Sequence, residues 1–307
     1  MNKAKRINNI SSLSKKQLQH RIINGLGFRI GRFTVRLVSP VAEMVDHLQN
    51  LYAAYELLEK DDFVDFHVQL KSPSKLRRFF RPQINFFFDG VAPFKPLPYD
   101  QAAAMFEWGL NWCIASYSNQ YLIIHAAVVE RNGQAFIFPG APGSGKSTLC
   151  AALVCNGWRL LSDEMTLLST SDGQIYPVPR PISLKNESIE VIRKRSSQGV
   201  FGQVVNDTAK GTVGHLSPPK LSVQSSTIPA QPAKLIFPKY KQASKTELTA
   251  VSKGQAMLSA AGDCFNYNVL GTQGFDSLGG LIDQCDCYEF NYSCLDEALA
   301  LFTNLSA

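Results

Sequence analysis

The chain has 307 residues, 45% hydrophobic and 18% charged, with a formal net charge of +6. That is enough to bury one large core, or one core and a smaller domain. No apolar run approaches the roughly 18 residues of a membrane span, and seven Cys without a C-x-x-C pair argue for reduced thiols over a disulfide framework or a structural zinc.

Charge is unevenly placed: residues 1–36 hold nine Lys or Arg and no acid, and 254–307 hold seven acids and no Lys or Arg. The basic start has no apolar stretch of the secretory kind, which leaves the cytoplasm as the default compartment. It reads as a flexible arm over residues 1–24 and not as a nucleic-acid surface, and the later cluster "KLRRFFRPQINFFF" (75–88) reads as a solvated turn entering a buried strand.

In chain order, "FRIGRFTVRLVS" (28–39) alternates like a strand, 41–58 has helical spacing, "FVDFHVQL" (63–70) alternates again, and "QINFFFDG" (83–90) is a further strand. Residues 25–98 are therefore expected to form a small α+β unit, closed by the Pro-rich 91–98. A helix follows at 100–116, with Asp100 as its cap. Two apolar runs, 121–131 and 134–139, flank Asn132-Gly133, the signature of a two-residue hairpin. Pairing Arg131 with Gln134 sets a register that carries on through Val129 and Phe136 and would place His125 opposite Gly140.

The stretch "GAPGSGKST" (140–148) fits G-x-x-x-x-G-K-[ST], with a strand before it and a helix (146–156) after it. Backbone amides at the start of a helix form an anion site, which Gly140, Gly143 and Gly145 open to close approach. The nucleotide-binding set is Gly140, Ala141, Pro142, Gly143, Ser144, Gly145, Lys146, Ser147 and Thr148, with Lys146 on the β- and γ-phosphates and the Ser147 hydroxyl on Mg²⁺. Asp163 and Glu164 close the next strand, 17 and 18 residues after Lys146. They read either as Mg²⁺ ligands with an acid/base role or as a solvated strand end.

Farther on, 193–234 is rich in Gly, Ser and Pro and reads as a mobile loop. Arg180 reads as a phosphate or substrate contact or as a surface turn, Lys185 as a weaker candidate, and His215 either as a substrate contact from the loop or as a loop residue with no role in the site. Cys285 and Cys287 read as same-face residues of a strand, not as a metal site. A strand and an amphipathic helix, with Ser293 near the cap, end the chain.

A hairpin entering through a His, then "GAPGSGKST", then a helix, then "GWRLLSDE" resembles the catalytic core of the HPr kinase/phosphorylase family, and within it the HPr-kinase-related group. The likeness is clear over 121–190. It implies an α/β fold of the HPr kinase/phosphoenolpyruvate carboxykinase type, a mixed sheet with helices, occupying residues 99–307. It also implies a Mg-ATP-dependent kinase acting on a hydroxyl, with a protein serine favoured as acceptor. His125, Lys146 and Asp163 would be its catalytic residues, Ser147, Asp163 and Glu164 its metal ligands, ATP and Mg²⁺ its cofactors, and a homo-oligomer its assembly. The segment "PVPRPISLKNESIEVI" (177–192) stands where bifunctional members carry E-I-R-G-L-G, which removes the ground for HPr itself as substrate and for phosphorolysis. A motor or ABC-like ATPase and a non-catalytic nucleotide-binding regulator are the competing readings.

Overall fold

The structure, a computed structural model, describes residues 8–196 and 198–306; Ser197 of the expected loop and residues 1–7 of the expected arm lie outside them. The hairpin forms at Asn132-Gly133, whose φ values of 55° and 82° match the primed turn that suits strand twist. Arg131 pairs with Gln134 and Val129 with Phe136, and the ladder ends at Ala126 and Pro139. This hairpin lies inside a six-stranded mixed sheet. Its strands, in spatial order, are Glu247–Ala250, Asp286–Tyr292, Gln231–Tyr240, Gln134–Pro139, Ala126–Arg131 and Arg159–Ser162.

Alternation along these strands buries both faces of the sheet. Ala127, Val129, Phe136 and Phe138 pack with helix Lys146–Cys155, Trp158 and Phe302 on one face. Ala126, Val128, Ala135 and Ile137 pack with Ala256, Ala260, Leu278 and Leu281 on the other. Cys285 and Cys287 join this second layer as buried free thiols, in keeping with the core reading. No helix among the described residues is long and apolar enough to cross a membrane.

The expected division near residue 98 is not where the core divides. A five-stranded sheet (Leu26–Ile30, Phe33–Val38, Phe66–Lys71, Gln83–Phe88, Leu97–Pro98) shares one apolar cluster with helix Ala102–Tyr117 and with Tyr121, Met165, Leu167 and Val178. The small sheet alone leaves one face bare, and that long helix covers it through Phe106, Leu110 and Ile114.

Several expectations need correcting. Residues 15–24 of the basic arm form helix Lys15–Asn24, held by a Ser14–Gln17 capping box and by burial of Leu18 and Ile22. A 3-10 turn, Tyr99–Gln101, precedes helix Ala102–Tyr117, so Asp100 does not cap it. The segment 193–234 is built as strands Val205–Thr208 and Gly211–Leu216 and helix Lys220–Gln224. Its glycines misled the reading because Gly211, at φ 83°, serves the turn between two strands and not a loose loop.

Candidate active site

Four strands of the central sheet run in one direction. Gln134–Pro139 and Arg159–Ser162 are each antiparallel to the strand between them, while Gln231–Tyr240 and Asp286–Tyr292 are parallel to the first and to each other. Their C-terminal ends therefore bring Gly140, Asp163, Tyr240 and Tyr292 to one edge, where ligands of α/β sheets collect. The antiparallel strand starts at that edge, just after His125. Asp163, Tyr240, Tyr292 and His125, with Ala141 next to Gly140, line a cavity of about 1470 Å³, larger than a site for one small ligand.

The glycine loop is held open from behind. Gly140, Gly143 and Gly145 take φ values of 142°, 87° and 94°, a region costly for side-chain-bearing residues. A Cβ on Gly145 would overlap the Tyr292 phenol oxygen and stand 3.0 Å from the Tyr240 Cβ. Tyr292 Oη donates to the Gly145 carbonyl at 3.0 Å, and the Tyr240 amide donates to the Ser144 carbonyl at 3.0 Å. Helix Lys146–Cys155 begins at the loop with no acid in its first turn, so its leading amides and positive dipole end face the cavity. Lys146 is buried and folded back, its ammonium donating to the carbonyls of Gly140 and Ala141. Burial pulls its pKa down, against the charges of Asp263 and Asp163.

Asp163 lies on the opposite wall, 4% exposed. Its Oδ2 accepts the Ser183 amide at 2.9 Å, and its Oδ1 has no partner. Burial and the adjacent Glu164 charge push the carboxyl up to about 7, against the Ser183 amide and the Ser147 hydroxyl, which favour its ionised form. The Glu164 carboxylate accepts from the Asn111 side chain. No group of three or more His, Cys, Asp or Glu among the described residues could hold a metal alone. Two carboxylates and a hydroxyl do suit Mg²⁺, which keeps waters and takes further oxygens from a phosphate ligand.

His125 is one step beyond the ladder, so it is not paired with Gly140. The chain changes sheets at this residue, because Tyr121–Ile124 pairs with Thr166–Ser169 in a separate three-stranded sheet. Its amide donates to the Asp263 carbonyl at 2.7 Å, and its ring lies 5.4 Å from that of Phe265. The residue still lines the cavity with Lys146. Burial, then the Lys146 charge, lowers its pKa, which favours neutral imidazole.

Arg180 and His215 differ from their expected roles. The Arg180 guanidinium is buried, donates to the Glu107 carboxylate and to its carbonyl (2.8 Å), and also donates to Asn111 Oδ1. Glu107 in turn accepts from Tyr52 Oη and meets His47 Nε2, each at 2.8 Å. The cation is thus committed to an internal carboxylate. His215 is 3% exposed, edge-on to His47 at 6.2 Å, and burial lowers its pKa to about 4. It does not line the large cavity; it borders a narrow gap behind Asp163 and Glu164.

Sequence reasoning missed Ser183, Asn111, Lys210, Asp263, Tyr240 and Tyr292. The Ser183 contact is a backbone amide, which any residue supplies. Asn111 stands one helical turn after Glu107, so their shared face was readable, but its partners 53 and 69 positions away were not.

The architecture is thus a mixed α/β fold whose central sheet presents a strand, glycine loop and helix beside two carboxylates at a large cavity. The protein-family model described as SynChlorMet cassette protein ScmC matches residues 105–190. No curated protein matches the chain. Among solved structures, the chain is similar to the HPr(Ser) kinase/phosphatase from Coxiella burnetii, with a TM-score of 0.27 and 15% identity, covering 60% of this chain and 96% of that one.

Proposed function

We propose that the chain is a Mg-ATP-dependent phosphotransferase that passes the γ-phosphate to a hydroxyl, a protein serine being the favoured acceptor. One observation carries this reading: a buried carboxylate with a free oxygen and a pKa near 7 faces, across one cavity, a glycine loop at a helix N-terminus with a lysine beside it. In this reading, residues 140–148 wrap the β- and γ-phosphates and Lys146 turns from the loop carbonyls onto them. Ser147 and Glu164, with Asp163, would hold Mg²⁺, which supplies charge neutralisation to the phosphates.

Asp163 accepts the proton of the acceptor hydroxyl, since a carboxylate poised near neutral pH suits general-base work. His125, neutral and beside Lys146, orients the terminal phosphate or carries the proton onward. The cavity is large enough for an acceptor beside the nucleotide. Arg180 and His215 act from behind the wall, through Asn111 and Glu164, and do not touch substrate.

The test uses γ-³²P-ATP with Mg²⁺ and proteins encoded nearby. Label on a serine of one of them supports the assignment. Free phosphate alone at a steady rate replaces it with an ATPase, and binding without either product leaves a regulator.

A further inference from the structure

The cavity holds two lysines that the reading above leaves unused. Ile182–Lys185 is the strand whose Ser183 amide is bonded to Asp163, and Lys185 follows two places on, so both side chains leave the same face about 7 Å apart along the strand. Lys185 pairs with Val213 of strand Gly211–Leu216, and Lys210 occupies the turn leading into that strand. The small sheet therefore brings both lysines to the cavity wall beside Asp163 and Glu164.

Neither ammonium meets a carboxylate among the described residues. Lys210 Nζ lies 4.9 Å over the Trp108 ring, and Lys185 Nζ has no hydrogen-bond partner. Other cations on the same cavity are engaged: Lys146 on loop carbonyls and Arg195 on Asp296. Burial lowers the Lys210 pKa, opposed by Glu164, and Lys185 lowers it further, so the two lysines repel one another across the site. Two like charges brought together with no carboxylate in ion-pair contact make a place for a dianion.

We propose that Lys185 and Lys210 form a terminal-phosphate subsite, which tells a nucleoside triphosphate from a diphosphate. This rests on the phosphotransferase reading. The glycine loop supplies its own cation, Lys146, to the β- and γ-phosphates from the loop side. The lysines stand on the Asp163 and Glu164 side of the cavity, where they meet the γ-phosphate on the side turned toward the acceptor and do not reach the β-phosphate. A diphosphate ends before it reaches them.

Calorimetry with Mg-ATP and Mg-ADP on the wild type, Lys185→Met/Lys210→Met and Lys146→Ala tests this. The Met pair keeps apolar stems over Trp108, and equal melting temperatures confirm folding. The ATP affinity of the Met pair should fall at least about tenfold while its ADP affinity stays within about twofold, and Lys185→Arg/Lys210→Arg should restore the preference. Equal losses for both nucleotides, or no loss for either, overturn the subsite while leaving the loop assignment intact. A wild type that binds neither nucleotide removes the parent reading and this one together. Should the Met pair fail to fold, Lys210→Met alone, in the turn before strand Gly211–Leu216, must still weaken ATP more than ADP.

Discussion

The Asp163 carboxylate takes the Ser183 amide on one oxygen, at 2.9 Å, and leaves its other oxygen buried without a partner. A strand end is thereby fixed in direction by the neighbouring small sheet, while one acceptor remains for a proton or a cation.

This has a signature in pH. The Asp163 pKa is raised to about 7 from 3.8, so the folded state binds a proton that the unfolded state has released. Stability from this group is fully present below about pH 4 and is lost as pH rises through 7. Asp163→Asn should melt close to the wild type at pH 4 and above it at pH 8, without Mg²⁺. A melting difference that does not change with pH would contradict the raised pKa. In the transfer assay the same variant should lose roughly 10²–10⁴ in rate while still binding Mg-ATP.

Lys146→Ala removes the only cation of the loop. Nucleotide affinity should fall steeply, since a charge-assisted contact to phosphate disappears from a buried position. Thermal stability should change little, because the ammonium bonds only to the Gly140 and Ala141 carbonyls and its burial already disfavours its charge. Calorimetry checks the first statement and a melting curve the second; undiminished ATP binding contradicts the role given to Lys146.

The buried Arg180–Glu107 pair predicts an asymmetry. Arg180→Met leaves Glu107 charged and buried, and should cost about 3–5 kcal/mol. Arg180→Met/Glu107→Leu together should recover a large part of this, since both charges are gone. Chemical denaturation of the two variants decides it, and equal losses would mean that the pair is held by packing and not by charge compensation.

Gly145→Ala should weaken nucleotide binding and stability together. The new methyl group meets Tyr292, and alanine at φ 94° is strained by about 1–3 kcal/mol in addition. Tyr292→Phe in the same chain should relieve the contact with the phenol oxygen but not the backbone strain, giving partial recovery by calorimetry. Full recovery would show that strain at Gly145 is slight.

Much of this site was legible in the residues. Asn132-Gly133 set the hairpin and its register, because two positive φ values in succession leave few other turns. The glycine loop, its helix and the carboxylates one crossover later followed from local spacing. What could not be read were events decided by partners distant in sequence. His125 breaks its strand because Thr166–Ser169 captures the preceding four residues for another sheet. Arg180 turns inward because Glu107, 73 positions earlier, waits buried on helix Ala102–Tyr117. The chain from 193 onward looked like a loop because its strands are short and its order comes from pairing Gly211–Leu216 with Ile182–Lys185.

The contact between Gly145 and Tyr292 spans 147 positions, and the strand carrying Tyr292 is the last of the sheet. During synthesis the whole glycine motif leaves the ribosome long before the tyrosine that props it. A nascent chain halted ahead of residue 286 therefore carries the complete motif, the hairpin that feeds it and Tyr240, yet lacks the Tyr292 support behind Gly145. Competence for nucleotide should appear abruptly, with the arrival of the final strand, and not gradually as the motif emerges; chains arrested at successive lengths and probed with a fluorescent ATP analogue would display that step.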